Sequence, residues 1–208
     1  MDWASVLGGI IVALVAAIGL PLALRKRKKA GPENVEQFLQ YLQGMGVKAS
    51  PLEKGAEEEK VGVSRASGQR SERIIKIEGR NIDYINVISV ASQYGVRYFL
   101  DYLVKTPSWP SKTKRKKTRM VTKKSSAIQG KVVDIGWKGD DYLSQSLNYD
   151  SRLKDKLLQV EPDKLRGSIW IFPEPKYEYA RVRTSYLLPS SELLEAIDII
   201  AGHIKSGW

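Results

Sequence analysis

Residues 3–24 (WASVLGGIIVALVAAIGLPLAL) carry no charge, and Arg25, Lys26, Arg27, Lys28 and Lys29 follow at once. As a helix rising ~1.5 Å per residue, the stretch would be about 33 Å long, against a bilayer hydrocarbon core of ~30 Å. A helix is the one single-segment structure that satisfies its own backbone in lipid, so residues 1–24 are expected to be a transmembrane anchor. Pro21 lies near the end of the stretch, where a missing donor costs least, and Trp3 suits an interfacial belt. A cleaved signal peptide would need a basic start, a shorter apolar core and a small-residue cleavage site. Here the start holds only Asp2 and the cations lie on the far side. The positive-inside rule then places the N-terminus outside and the rest of the chain in the cytoplasm.

Ser5, Gly9, Ala13 and Ala17 are spaced four apart and share one helical face. Small residues so placed let two helices approach closely, which would permit a homo-oligomer in the membrane. Gly and Ala are also simply common in such segments.

The chain has no cysteine, which excludes a disulfide framework, thiol catalysis and thiolate metal sites. Its net charge of +11 is local rather than general. Residues 25–29 hold five cations, and residues 105–124 hold nine with no acid. Those fourteen removed from 34 leave 20 cations against 23 acids, a net of −3.

Beyond the anchor, residues 25–72 read as a basic juxtamembrane linker, a short amphipathic helix and a polar linker. Val35, Phe38, Leu39 and Leu42 give the helix its stripe, and residues 48–72 are polar. Residues 73–208 read as one domain with a polybasic loop at 105–127. Within it, strands are expected around Ile75 and Ile77, over 82–91, 96–105, 132–137, 168–172 and 176–188. On 96–105, Leu100, Tyr102 and Val104 fall on one face and Phe99, Asp101 and Leu103 on the other. On 176–188, Tyr179, Arg181 and Arg183 share a face. One helix is expected from Asp140 to Gln159, with Leu143, Leu147, Leu153, Leu157 and Leu158 on its buried side. Another follows Ser190 or Ser191, with Leu193, Ile197, Ile200 and Ile204 buried. Strands and helices do not alternate strictly, so the fold class is α+β, a mostly antiparallel sheet with packed helices.

No linear motif marks an enzyme or names a family. His203 is the one histidine, so it is the single base available to a serine nucleophile, and its place near a helix C-terminus suits the dipole. Asp134, Asp140, Asp141, Asp150 and Asp155 lack EF-hand spacing and fit helix capping better than a metal, so no metal or cofactor is implied. Ser151 with Lys154, and Ser111 with Lys114, match S-x-x-K without its companion motifs. Gly130 and Lys131 do not make a P-loop. An acid–base site built from Asp, Glu, Lys and Tyr would leave no such trace.

The expected function is a membrane-anchored, cytoplasm-facing binding or scaffold protein. Arg25, Lys26, Arg27, Lys28, Lys29, Lys112, Lys114, Arg115, Lys116, Lys117, Arg119, Lys123 and Lys124 would contact anionic headgroups, with Trp109 inserting between Pro107 and Pro110. A protein partner would meet the tyrosine-rich remainder. The alternatives are a tethered enzyme, non-specific nucleic-acid binding through the 105–124 run, and a merely solubilising loop.

Overall fold

The computed structural model describes residues 35–52, 68–106, 115–125, 132–161 and 169–207. The expected anchor, its basic collar and its small-residue face lie outside these residues. Among the described residues no helix is long and apolar enough to cross a membrane. Residues Val35–Trp208 form one compact unit.

Helix α1 (Val35–Gly44) buries Phe38 and Leu42, one turn apart. It ends where the Val47 amide donates to the Leu42 carbonyl and Gly46 takes a positive φ of 76°. Eight strands follow: β1 (Lys48–Pro51), β2 (Gln69–Glu78), β3 (Tyr84–Ser92), β4 (Gly95–Lys105), β5 (Thr118–Lys124), β6 (Val132–Lys138), β7 (Trp170–Glu174) and β8 (Tyr179–Ser185). They form one sheet in the order β1-β2-β3-β4-β8-β7-β5-β6, and every pairing is antiparallel. Helices α2 (Asp141–Tyr149), α3 (Ser151–Gln159) and α4 (Ser191–Lys205) complete the α+β fold.

Alternation along each strand sorts the side chains. Ile75, Ile77, Ile85, Val87, Leu100, Tyr102, Val104, Met120, Trp137, Ile171, Ala180 and Val182 join the helices in the main core. Helix α4 lies against β4 and β8, and α2 and α3 pack on β6. Its stripe of Leu193, Ile197, Ile200 and Ile204 is buried, each residue stabilising the fold by roughly 1.5–3 kcal/mol. Ser190 is its N-cap, accepting from the Leu193 amide at 3.3 Å.

Four expectations are corrected. Residues 48–51 and 69–72, read as linker, are strand. Strand β1 pairs through its backbone while its side chains stay largely exposed, so it carries no apolar pattern. The basic run is not one loop, because Thr118–Lys124 is β5, with Thr118 and Met120 buried. The single helix through Gln159 is two. Asp150, at φ −81° and ψ 98°, ends α2 and caps α3 by accepting from the Leu153 amide at 3.1 Å. Leu147 and Leu153 stand six residues apart, about 240° out of phase on a continuous helix, so the break restores one buried side. Leu158 then falls on the outside, 38% exposed. Finally, β8 stops short of the expected 176–188, since Pro175–Tyr177 forms a 3₁₀ turn closed by left-handed Glu178.

Candidate functional site

No described helix packs on the second face of the sheet, and its register builds a continuous row there. Asn86 pairs with Asp101, Asp101 with Arg183, Arg183 with Trp170, Trp170 with Arg119 and Arg119 with Lys138. Six strands thus contribute one side chain each. The row grades from closed to open: Asn86 and Asp101 are 0% exposed, Trp170 is half-buried, and Arg119 and Lys138 are exposed.

The closed end is an ion network. Arg183 grips Asp101 with two bonds, Nε to Oδ1 at 2.6 Å and Nη2 to Oδ2 at 2.8 Å. Arg181 adds Nη1 to Oδ2 at 3.1 Å and reaches Glu174 with its other terminal nitrogen. Two arginines face two carboxylates, so the cluster is neutral. A carboxylate as buried as Asp101 is tolerable only with such full pairing. Burial opposes the charge on Arg183, but its bonds to Asp101 and the charges of Asp101 and Glu174 hold its pKa above the usual guanidinium value.

The network also sets the aromatic rings. Arg181 lies over Phe172 at 5.2 Å, and Arg183 over Phe99 at 5.2 Å and Phe172 at 5.5 Å. Phe172 stacks on Trp170, with centroids 6.2 Å apart and planes at 20°. At the open end Lys117 sits 5.3 Å from the Phe172 centroid and Arg119 5.7 Å from that of Trp170. Both are exposed, and neither has an acidic partner among the described residues. Gly139 fixes the start of β5. At φ 144°, a Cβ there would lie 2.0 Å from the Lys117 carbonyl, so only glycine lets the two backbones touch. The Asp140 amide donates to Thr118 Oγ1 at 3.1 Å across the same contact.

The structure divides the basic residues read from the sequence. Arg25, Lys26, Arg27, Lys28, Lys29, Trp109, Lys112 and Lys114 lie outside the described residues. Arg115 is half-buried. Lys116 pairs with Asp141 at 3.3 Å, and its amide donates to Asp140. Lys117, Arg119 and Lys123 alternate onto the second face, with Lys124 beyond a register shift. Trp170, Phe172, Phe99 and the Asp101 network were not singled out from the sequence. The face assignments for 96–105 and 176–188 did group Asp101 with Phe99 and Arg181 with Arg183. What they lacked was the pairing of β4 with β8.

Three of the aspartates considered for a metal serve as helix caps or in an ion pair. Asp140 caps α2 through the Leu143 amide at 3.2 Å, Asp150 caps α3, and Asp134 pairs with Lys154 at 2.7 Å. Among the described residues no cluster could hold a metal ion. Comparison of the chain with protein-family models, curated proteins and solved structures found no match.

Proposed function

We propose that this chain is a membrane-tethered binding module whose basic–aromatic sheet face docks on anionic lipid headgroups. The observation that carries the reading is the exposed pair Lys117 and Arg119 held over Phe172 and Trp170. Lys123 and Lys138 extend the same face and are also exposed. Each cation near an anionic leaflet contributes ~1 kcal/mol, so four supply about 4 kcal/mol, a millimolar affinity. A free domain would bind weakly at that strength. One tethered by the apolar residues 3–24 would meet the surface at a comparable effective concentration, so docking would be responsive to lipid charge. The charge asymmetry around that segment supports an outside N-terminus and a cytoplasmic domain.

Aromatic rings on a sheet also serve single-stranded nucleic acids, which stack bases on free ring faces. Here Phe172 already meets Trp170, Lys117, Arg181 and Arg183, and Trp170 carries Arg119. Stacking would have to displace these cations, whereas headgroup contact uses them where they stand. This favours lipid.

The test is sedimentation of residues 30–208, which contain the whole compact unit, with anionic vesicles, neutral vesicles and single-stranded RNA across a salt series. Binding to anionic vesicles alone, falling with salt, is expected. Lys117→Glu with Arg119→Glu should weaken it at least ~30-fold, the loss of two cations. Indifference to anionic vesicles at low salt, or stronger binding to RNA at equal salt, rules the reading out.

A further inference from the structure

Away from the sheet face, the junction of α2 and α3 meets the last turn of α4. There Ser146 Oγ lies 2.7 Å from His203 Nδ1, and His203 Nε2 lies 2.9 Å from Asp150 Oδ2. The three side chains line a recess of about 430 Å³ with Tyr149, Ser151 and Arg152. The His203 side chain is 21% exposed and that of Asp150 9%.

The bonding pattern fixes one ring proton. A carboxylate can only accept, so His203 Nε2 carries the hydrogen given to Asp150. In the neutral ring Nδ1 is then a bare lone pair, and the Ser146 hydroxyl donates to it. Asp150 is itself held on its other side, Oδ1 accepting from the Leu153 amide. Burial pushes its carboxyl pKa up. The hydrogen bond from His203, the Leu153 amide and the charges of His203 and Arg152 together outweigh this, so the group sits below the usual carboxylate range. A hydroxyl aimed at the free nitrogen of an oriented imidazole, on an open recess, is what nucleophilic catalysis requires.

We infer that Ser146, His203 and Asp150 form an acyl-transfer site that hydrolyses small carboxylic esters, an activity separate from the binding face. Ser146 Oγ attacks the ester carbonyl carbon while its proton passes to His203 Nδ1. Collapse breaks the bond to the alkoxy oxygen, which leaves as the alcohol with that proton. Water, deprotonated by the same nitrogen, then cleaves the acyl–Ser146 bond, and the proton returns to Oγ. One ester and one water give one acid and one alcohol. Asp150 is a positioning residue that keeps the tautomer. Ser151 and Arg152 wall the recess at the start of α3, with the Arg152 guanidinium 3.7 Å from Asp150 Oδ2.

The probe is a fluorophosphonate, which transfers phosphorus to an activated serine oxygen and releases fluoride. The full chain in detergent should gain one adduct, placed on Ser146 by peptide mass spectrometry. The unmodified chain should label faster as pH rises, in a single-proton step. Ser146→Ala should remove the adduct and its hydrolysis of p-nitrophenyl acetate. His203→Gln should slow labelling at least ~100-fold. Asp150→Asn preserves a capping side chain and should still slow labelling by a similar factor. An unlabelled Ser146 in a chain with native circular dichroism overturns the proposal. So does a flat pH profile, or wild-type labelling in either the His203 or the Asp150 variant.

Discussion

The two faces of the sheet solve the same burial problem by opposite means. Toward the helices, β4 presents Leu100, Tyr102 and Val104, which are buried by simple apolar contact. On its other side the same strand presents Asp101, equally inaccessible, whose burial depends on two arginines from β8. Apolar packing is non-directional and tolerates small errors. A charged cluster must have every partner in place. One face is therefore a core that any well-shaped apolar set could supply, and the other adds to a small apolar cluster of Ile74, Tyr84, Leu103 and Tyr179 a charge network around Asp101 whose partners are individually specified.

Removing the keystone should have the largest effect. Asp101→Ala strands Arg181 and Arg183 without their shared carboxylate and should cost about 3–5 kcal/mol in urea denaturation. Replacing all four together, as Asp101→Leu, Glu174→Met, Arg181→Met and Arg183→Leu, should restore or exceed wild-type stability by up to about 4 kcal/mol. A single-variant cost under about 1 kcal/mol would erase the contrast between the faces. On the apolar side Leu100→Ala should cost about 2–5 kcal/mol in the same denaturation.

A smaller effect tests the Asp150 contact, which belongs to neither face. Its folded pKa is depressed, so its stabilisation is fully present above the unfolded value of ~3.9 and lost as pH falls through the folded one. The deficit of Asp150→Asn relative to wild type should shrink as pH falls below about 4, by thermal melts across pH. Smallest of all, Lys117→Glu with Arg119→Glu should move stability by no more than about 0.5 kcal/mol, since both side chains are exposed. The same pair should weaken vesicle docking at least ~30-fold, which separates a binding surface from a structural one.

The sequence made the helix-facing core legible because apolar spacing reports it directly. Phe38 and Leu42 of α1, the stripe of α4, and the Leu100, Tyr102 and Val104 side of β4 are buried as read. Strands such as β1 and β5 escaped because their pairing is carried by the backbone while lysines and small polar residues fill the positions. The break at Asp150 escaped because a capping aspartate between two leucine pairs looks like an ordinary mid-helix polar residue. The candidate sites were harder still. Asp101 meets Arg183 across 82 residues, and Ser146 meets His203 across 57. No local pattern encodes such distances. Strand register and helix docking create them.

Of the two edge strands, β1 has a bearing on how these chains tolerate crowding. A sheet margin with unsatisfied main-chain groups recruits strands from neighbouring molecules. Here the margin is four residues long, begins at Lys48 and ends at Pro51, which has no N–H to offer. The Ala49 carbonyl is already taken by the Gln43 side chain at 2.9 Å. Copies meeting along β1 would therefore find a margin too short and too poorly equipped to zip together, which leaves the seven-residue strand β6 as the edge open to such pairing.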